Sequence, residues 1–189
     1  MQSAAAIIID CAWVSWAVTW FVLARDVKQT VRRESRVSRL LHLVPLFVAA
    51  LLLFGQWHVG WLGHVVLSRA AWMAPVGAGL VLAGLLFSLW ARLTIGRNWS
   101  GTVTVKQAHA LVDTGPYRLA RHPIYTGLLL AFLGTAVAID EVRGWLAFAL
   151  VAAAFLRKMR TEEAFMVETF GSEYESYRTR VKSLVPFVW

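Results

Sequence analysis

The apolar positions of this chain fall in blocks rather than in alternation, and the blocks are about as long as a bilayer is thick. A transmembrane helix needs ~20 mostly apolar residues, with a range of ~17–25. The pattern predicts a first span over Ala4–Ala24, a second over Leu40–Gln56 and a third over about Ala70–Leu93. A fourth starts at His122-Pro123 and ends near Ile139, and a fifth runs from Gly144 to about Leu156. The fifth is short unless its basic end snorkels to the interface. Polar segments separate the blocks: residues 25–39, a turn-like stretch with Gly55, Gly60 and Gly63, the long stretch from Thr94 to Arg121, and a tight connection over Asp140–Arg143. From Arg157 onward the chain is polar and reads as helical until Pro186. The expected fold class is all-α, an integral-membrane helical bundle of about five transmembrane helices with a cytoplasmic C-terminal helix. Four spans with one re-entrant segment is the alternative. The chain reads as one membrane domain over 1–189, with three spans in 1–93 and the remainder in 94–189.

Composition supports this picture. Of the 189 residues, 58% are hydrophobic, against ~45–50% for a soluble domain. The formal net charge is +8, and the basic residues sit between the apolar blocks. Arg25, Lys28, Arg32, Arg33, Arg36 and Arg39 fill the first connection, and the 94–121 stretch and the tail are also basic. The intervening connections carry one arginine each, Arg69 and Arg143. Cytoplasmic loops carry the excess of Lys and Arg, so five spans with the N-terminus outside and the C-terminus cytoplasmic fit throughout. The Ala-, Trp- and Arg-rich composition points to a bacterial inner membrane. Nucleic-acid binding is not needed to explain the charge. Cys11, the single cysteine, excludes an internal disulfide and a Cys-cluster metal site. The first block lacks a basic n-region and a clean cleavage site, so it reads as a retained span. Asp10 within it is expected to face other helices or the interface.

Other features have bland readings. Trp57, Trp61, Trp72, Trp99, Trp145 and Trp189 lie near block ends, where tryptophan favours the headgroup level. Small residues recur at four-residue spacing, at Gly79 and Ala83 and at Gly127, Ala131 and Thr135, which lets helix backbones approach.

Chemistry concentrates at Gly115-Pro116-Tyr117-Arg118-Leu119-Ala120-Arg121-His122-Pro123-Ile124-Tyr125-Thr126-Gly127. Pro123 suits the first turn of a helix, so the free N–H groups of the fourth span would face the interface, a ready place for a carboxylate or phosphate. Arg118 and Arg121 add charge beside it, and His122 and Tyr125 share a helix face. An interfacial anchor is the bland alternative. A second cluster, Arg157-Lys158-Met159-Arg160-Thr161-Glu162-Glu163, lies where the fifth span leaves the membrane. Its carboxylates could bind an ammonium or sulfonium cation, or Lys158 and Glu162 could simply pair along the helix. Gly96-Arg97-Asn98-Trp99-Ser100-Gly101 and His109-Ala110-Leu111 read as a loop. No metal-binding spacing appears among the histidines, and no H-E-x-x-H, P-loop, G-x-S-x-G or GxGxxG motif is present.

These elements, in this order, together with Phe170-Gly171-Ser172-Glu173-Tyr174-Glu175-Ser176-Tyr177, resemble the isoprenylcysteine carboxyl methyltransferase family and its membrane relatives, the phosphatidylethanolamine N-methyltransferases among them. The resemblance covers roughly Thr94 to Pro186. It implies a methyltransferase core in 94–189 and S-adenosylmethionine as cofactor, bound between the last two spans and the tail. It implies cofactor-binding roles for His109, Leu111, Tyr117, Arg121, His122, Tyr125, Gly127, Glu162 and Glu163, without separating the two glutamates. Arg157 or Arg160 would face the substrate, and Glu163 is the candidate acidic group in catalysis. The acceptor would be hydrophobic or lipid-like and would enter from the bilayer through an opening near the fourth and fifth spans. An isoprenylcysteine carboxylate fits, and so do a lipid, an isoprenoid-like acid or a small hydrophobic thiol. A membrane NADPH-dependent reductase and a non-catalytic membrane adaptor are the other readings. No metal and no nucleic acid are expected.

Overall fold

A computed structural model describes residues 3–55, 60–102, 104–106 and 110–185. Five long helices follow the five apolar blocks. They are α1 (Ala4–Leu23), α2 (Arg36–Phe54), α3 (Met73–Ile95), α4 (Pro123–Ile139) and α5 (Val142–Phe170), followed by a short α6 (Ser172–Arg180). Two short strands, β1 (Thr30–Arg33) and β2 (Thr104–Lys106), pair antiparallel. The periodicity did not predict them. Three segments, Ala4–Leu23, Arg36–Phe54 and Met73–Asn98, are helical, long and apolar enough to cross a membrane, and α4 is a shorter apolar helix. The protein is an integral-membrane helical bundle.

Local chemistry sets the helix ends. Ser3 and Ser35 cap α1 and α2 by accepting the N–H groups of Ala6 and Ser38, each satisfying one of the free donors of a first turn. Pro123 opens α4 at the predicted position, with His122 as N-cap. Asp140 ends α4 in the left-handed region, with φ 48°, a conformation that Asp tolerates better than most residues. Its carboxylate takes the backbone N–H groups of Leu67, Ser68 and Arg69 at 2.9–3.0 Å. Nearby, Glu141 pairs with Arg69 and Arg143, and Arg143 also donates to carbonyls at the end of α2. The 60–69 and 140–143 connections are therefore tied together at one end of the bundle. The β1–β2 pair joins the other two connections at the opposite end, so successive spans alternate in direction.

The bundle is built around α3 and α4. Cβ atoms placed on Gly77, Gly84, Gly127 or Gly134 would collide with the facing backbone; on Gly127 one would lie 2.5 Å from the Gly84 carbonyl oxygen and 2.7 Å from Ser88 N. Close backbone approach of this kind favours helix association in lipid, where no hydrophobic drive exists. On α4 the expected Gly127 and Ala131 lie in the contact together with Gly134, whereas Thr135 is bonded by Trp13 of α1. On α3 the contact uses Gly77 and Gly84, whereas Gly79 faces open space, because it lies on another side of the helix. α1 packs on α3, and α2 packs on α5. Trp61 and Trp72 are exposed in keeping with an interfacial belt. Trp57, Trp189 and the expected end at Pro186 fall outside the described residues.

Candidate functional site

The polar segment before α4 folds against α5 and the C-terminal tail. Arg121 N–H donates to the Lys182 carbonyl at 2.8 Å and His122 N–H to the Ser183 carbonyl at 3.0 Å. Thr126 Oγ1 donates to the Leu184 carbonyl at 2.8 Å. Residues 181–184 are thus strapped along the start of α4. The Gly115–Arg118 turn buries Tyr117, and the Tyr177 hydroxyl on α6 donates to the Tyr117 carbonyl at 2.6 Å. Gly171, with φ +52°, breaks the helix between α5 and α6 so that α6 can fold back over this turn. Positive φ costs glycine little.

α5 does not stop at the end of the apolar block. Its 29 residues continue as one helix and carry both glutamates to the start of α4. Adjacent residues on a helix point about 100° apart, and the two carboxylates have different surroundings. Glu163 Oε1 accepts from Arg121 Nε at 2.9 Å and Nη2 at 2.7 Å, and from Ser183 Oγ at 3.2 Å. His122 Nε2 lies 3.1 Å from the same oxygen. Burial pushes the Glu163 carboxyl up, but the bonds and charges of His122 and Arg121 outweigh it and hold the group at about 2. Glu162 accepts the Tyr125 hydroxyl at 2.7 Å, with Lys158 Nζ at 3.7 Å and His122 Nδ1 at 3.6 Å. Burial pushes Glu162 up as well, and Lys158, His122 and Tyr125 bring it below the ordinary carboxylate range. His122 sits between two carboxylates, at hydrogen-bond distance from Glu163 and facing Glu162 as an ion-pair partner, a geometry that favours the imidazolium.

Arg121, His122, Tyr125, Lys158 and Glu162 open onto a cavity of about 440 Å³, within the usual size of a small-molecule site, ~300–1,000 Å³. Its polar end is lined by Arg121, His122, Glu162, Lys158 and the tyrosines Tyr117, Tyr174 and Tyr177. The 98–102 loop closes one side through Asn98, Ser100 and Gly101, and Lys158 Nζ donates to the Gly101 carbonyl at 3.1 Å. Buried Arg92 fixes this loop: it donates to the Gly96 and Leu23 carbonyls and lies 4.6 Å over the Trp99 ring. The other end runs into the bundle along Tyr125, Leu128 and Phe132 of α4, with Phe155 across from them and Trp13, Trp16 and Trp20 of α1 facing. Tyr125 stacks between His122 and Phe155, at ring distances of 5.6 and 4.6 Å. Because α1 packs on α3 and α2 on α5, both N-terminal helices border this apolar end.

The structure brings together most of the residues singled out from the sequence. Leu111, Tyr117, Arg121, His122, Tyr125 and Glu162 line the cavity. Glu163 does not line it and is taken up by the clamp on Arg121 and the tail. Gly127 faces α3 at the close helix contact. Arg157 lies on the α2-facing side of α5 and donates to Ser38 at 3.0 Å, and Arg160 is exposed, so neither expected substrate-facing arginine reaches the cavity. The helical rotation puts Lys158 there instead. His109 lies outside the described residues. The sequence reading missed the α1 tryptophans, which carry no motif, and Trp99, which lines the cavity rather than serving only the belt. It also missed Tyr174 and Tyr177, although their three-residue spacing inside the FGSEYESY stretch was a usable signal for one shared helix face.

A membrane bundle with a polar-headed, aromatic-tailed cavity at the end of its fourth helix is the class that fold and site define. A model of the phospholipid methyltransferase family matches residues 72–173, and the chain belongs to this family. Protein-S-isoprenylcysteine O-methyltransferase B of Arabidopsis thaliana is 32% identical over 120 residues, covering 62% of this chain and 61% of that protein. A probable protein-S-isoprenylcysteine O-methyltransferase of Oryza sativa subsp. indica is 36% identical over 116 residues, covering 60% and 61%. The chain thus spans about three fifths of the length of these relatives. The solved structure of the eukaryotic intramembrane Ras methyltransferase ICMT aligns with a TM-score of 0.53 at 22% identity, over 84% of this chain and 55% of that one. That likeness shows the shared fold. The family read from the motifs is the one found.

Proposed function

We propose that the protein is an integral-membrane methyltransferase that uses S-adenosylmethionine and methylates a lipid-like carboxylic acid, with an isoprenylcysteine as the leading acceptor. The observation that carries this reading is the continuity of the cavity: its polar and aromatic ends meet at Tyr125, Glu162 and Lys158. The family and the printed names of the relatives support methyl transfer and the isoprenylcysteine acceptor.

The residues fit such a donor. Asn98 lines the cavity, and its Oδ1 is buried with no partner among the described residues. Turned toward the cavity, the amide would accept from an amine or ribose hydroxyl of a bound adenosine, and buried polar groups are rarely left unpaired. Glu162, ionised at neutral pH, supplies negative charge to an ammonium or sulfonium. Tyr117, Tyr174 and Tyr177 provide aromatic walls, and burial pushes all three phenols up, so they stay neutral. When bound, S-adenosylmethionine supplies a methyl already activated on sulfur.

The remaining work is positioning. Well-aligned reactants reach effective molarities of ~10⁵–10⁸ M. A carboxylate acceptor is ionised near neutral pH and needs no strong base. Lys158, held over Tyr125 and tied to Gly101, can orient that carboxylate, while the aromatic end holds the apolar tail and excludes water. Glu163 keeps Arg121, His122 and the tail in place. The basic connections support cytoplasmic entry of the cofactor, with the N-terminus outside; composition is the support for a bacterial inner membrane.

The test is S-adenosylmethionine binding to the detergent-purified chain, with NADPH as comparison and Glu162→Gln as control. Saturable binding weakened by the substitution, followed by methyl transfer to N-acetyl-S-farnesylcysteine, is the expected result. Binding of NADPH alone would overturn the reading in favour of a reductase.

A further inference from the structure

Trp13 closes the apolar end of the cavity. Its indole N–H donates to Thr135 Oγ1 at 3.0 Å, and the Thr135 hydroxyl in turn donates to the Ala131 carbonyl at 2.9 Å. The ring is also fixed from its sides, with Phe132 at 5.0 Å and Trp16 and Phe54 each at 5.9 Å. Behind it lies a second cavity of about 110 Å³, bordered by Thr135, Phe54, Asp10 and Leu53. Trp13 and Phe132 line the large cavity, whereas Thr135 and Phe54, the partners that hold Trp13 from behind, line the small one. Trp13 lines only the large cavity, so its indole ends that space, and its partners Thr135 and Phe54 stand between it and the small one.

We propose that Trp13 determines acceptor chain length. It is the floor against which the end of the apolar tail stops, so the protein selects short-tailed over long-tailed lipid-like thioether acids. This rests on the reading of the cavity as an acceptor site. Seven residues of α4 separate Tyr125 from Phe132, which at 1.5 Å per residue gives a depth of ~10 Å. A longer tail must displace the indole or bend out of the bundle. Displacing the indole breaks a hydrogen bond where no water can replace it. An aromatic ring held by one bond and three ring contacts is a firmer stop than a flexible aliphatic side chain. Removing it would add the indole's own volume to the large cavity and lengthen the space.

The test uses the full chain in detergent as wild type, Trp13→Ala and Thr135→Val. Binding of the N-acetyl cysteines carrying S-geranyl, S-farnesyl and S-geranylgeranyl groups is measured by equilibrium dialysis, which needs no turnover. For the wild type, affinity is expected to fall at the longest tail. In Trp13→Ala the ratio of geranylgeranyl to geranyl affinity should rise by about tenfold or more, the scale on which pockets discriminate small apolar differences. Thr135→Val keeps the shape but removes the acceptor, and should shift the ratio less in the same direction. If Trp13→Ala fails to fold, the Thr135→Val ratio decides. An unchanged length profile, or wild-type affinity that keeps rising with tail length, would overturn the floor. Methyl transfer with an unmoved profile removes the floor alone; a profile that moves without any methyl transfer removes the proposed function alone; no binding of any tail removes both.

Discussion

Tyr125 and Glu162 meet across the contact of α4 and α5, the phenol donating to Oε1 at 2.7 Å. Beside them, Glu163 receives Arg121 and the tail serine on a single oxygen. Two neighbouring carboxylates thus face different tasks, one bordering the cavity and one holding the structure that shapes it.

Their substitutions should separate accordingly. Glu162→Gln is expected to weaken S-adenosylmethionine binding at least tenfold, beyond any loss of stability from its contacts with Tyr125, His122 and Lys158. Glu163→Gln should instead lower stability by ~1.5–3 kcal/mol, the range for hydrogen bonds to charged groups. Calorimetry of binding and of unfolding on both variants makes the comparison. Equal loss of donor affinity in both would show that the clamp is not a separate unit.

Acid should reveal the clamp. The Glu163 carboxyl sits at about 2 in the fold against 4.5 as the ordinary value. A group lowered on folding contributes stability above its unfolded value and loses it as pH falls. The Glu163 contribution is therefore complete above about pH 4.5 and disappears on the way to pH 2. Unfolding temperatures of the wild type should drop more steeply over that window than those of Glu163→Gln.

Lys158 and Arg157 are adjacent, yet only Lys158 lines the cavity. Lys158→Met is expected to reduce kcat/KM for a carboxylate acceptor by about 100-fold, equivalent to ~2.7 kcal/mol of transition-state stabilisation. Arg157→Gln should leave kcat/KM within a few fold and act on stability through its lost bonds to Ser38. Steady-state methylation kinetics on the two variants would contradict the assignment if the effects were reversed.

The α3–α4 contact tolerates no side chain on its glycines. Gly127→Val should destabilise the bundle by ~1–3 kcal/mol or more, the usual cost of overpacking, whereas Gly79→Val, on an open face, should be near neutral. Thermal unfolding in one detergent reads the difference, and similar costs at both positions would mean that the contact is looser than it looks.

The five long helices, their alternation in direction and the start of α4 at Pro123 were legible in the sequence, because the length of an apolar block and proline geometry are local constraints that one segment can display. The cluster from Tyr117 to Tyr125 was legible too, since its motif order is local and specific. Helical rotation could have separated Glu162 from Glu163 and Lys158 from Arg157, but only once it was known which side of α5 faces α4. That depends on the glycine contact of α3 with α4 and on α2 covering the opposite side of α5. The tryptophans of α1 gave no warning, because an apolar aromatic residue in a span has the same sequence signature whether it meets lipid, another helix or a ligand.

The sequence by itself determined a membrane bundle with its candidate site at the head of the fourth helix, since hydropathy, charge bias and helix-start signals act through neighbours along the chain. Tertiary structure alone decided which carboxylate borders the cavity, that Lys158 rather than Arg157 or Arg160 joins Arg121 as a cation there, and that Trp13 lines its apolar end. Those outcomes depend on contacts between residues far apart in the chain, such as Trp13 with Thr135 and Arg121 with Glu163, and such distances are set only when the helices pack.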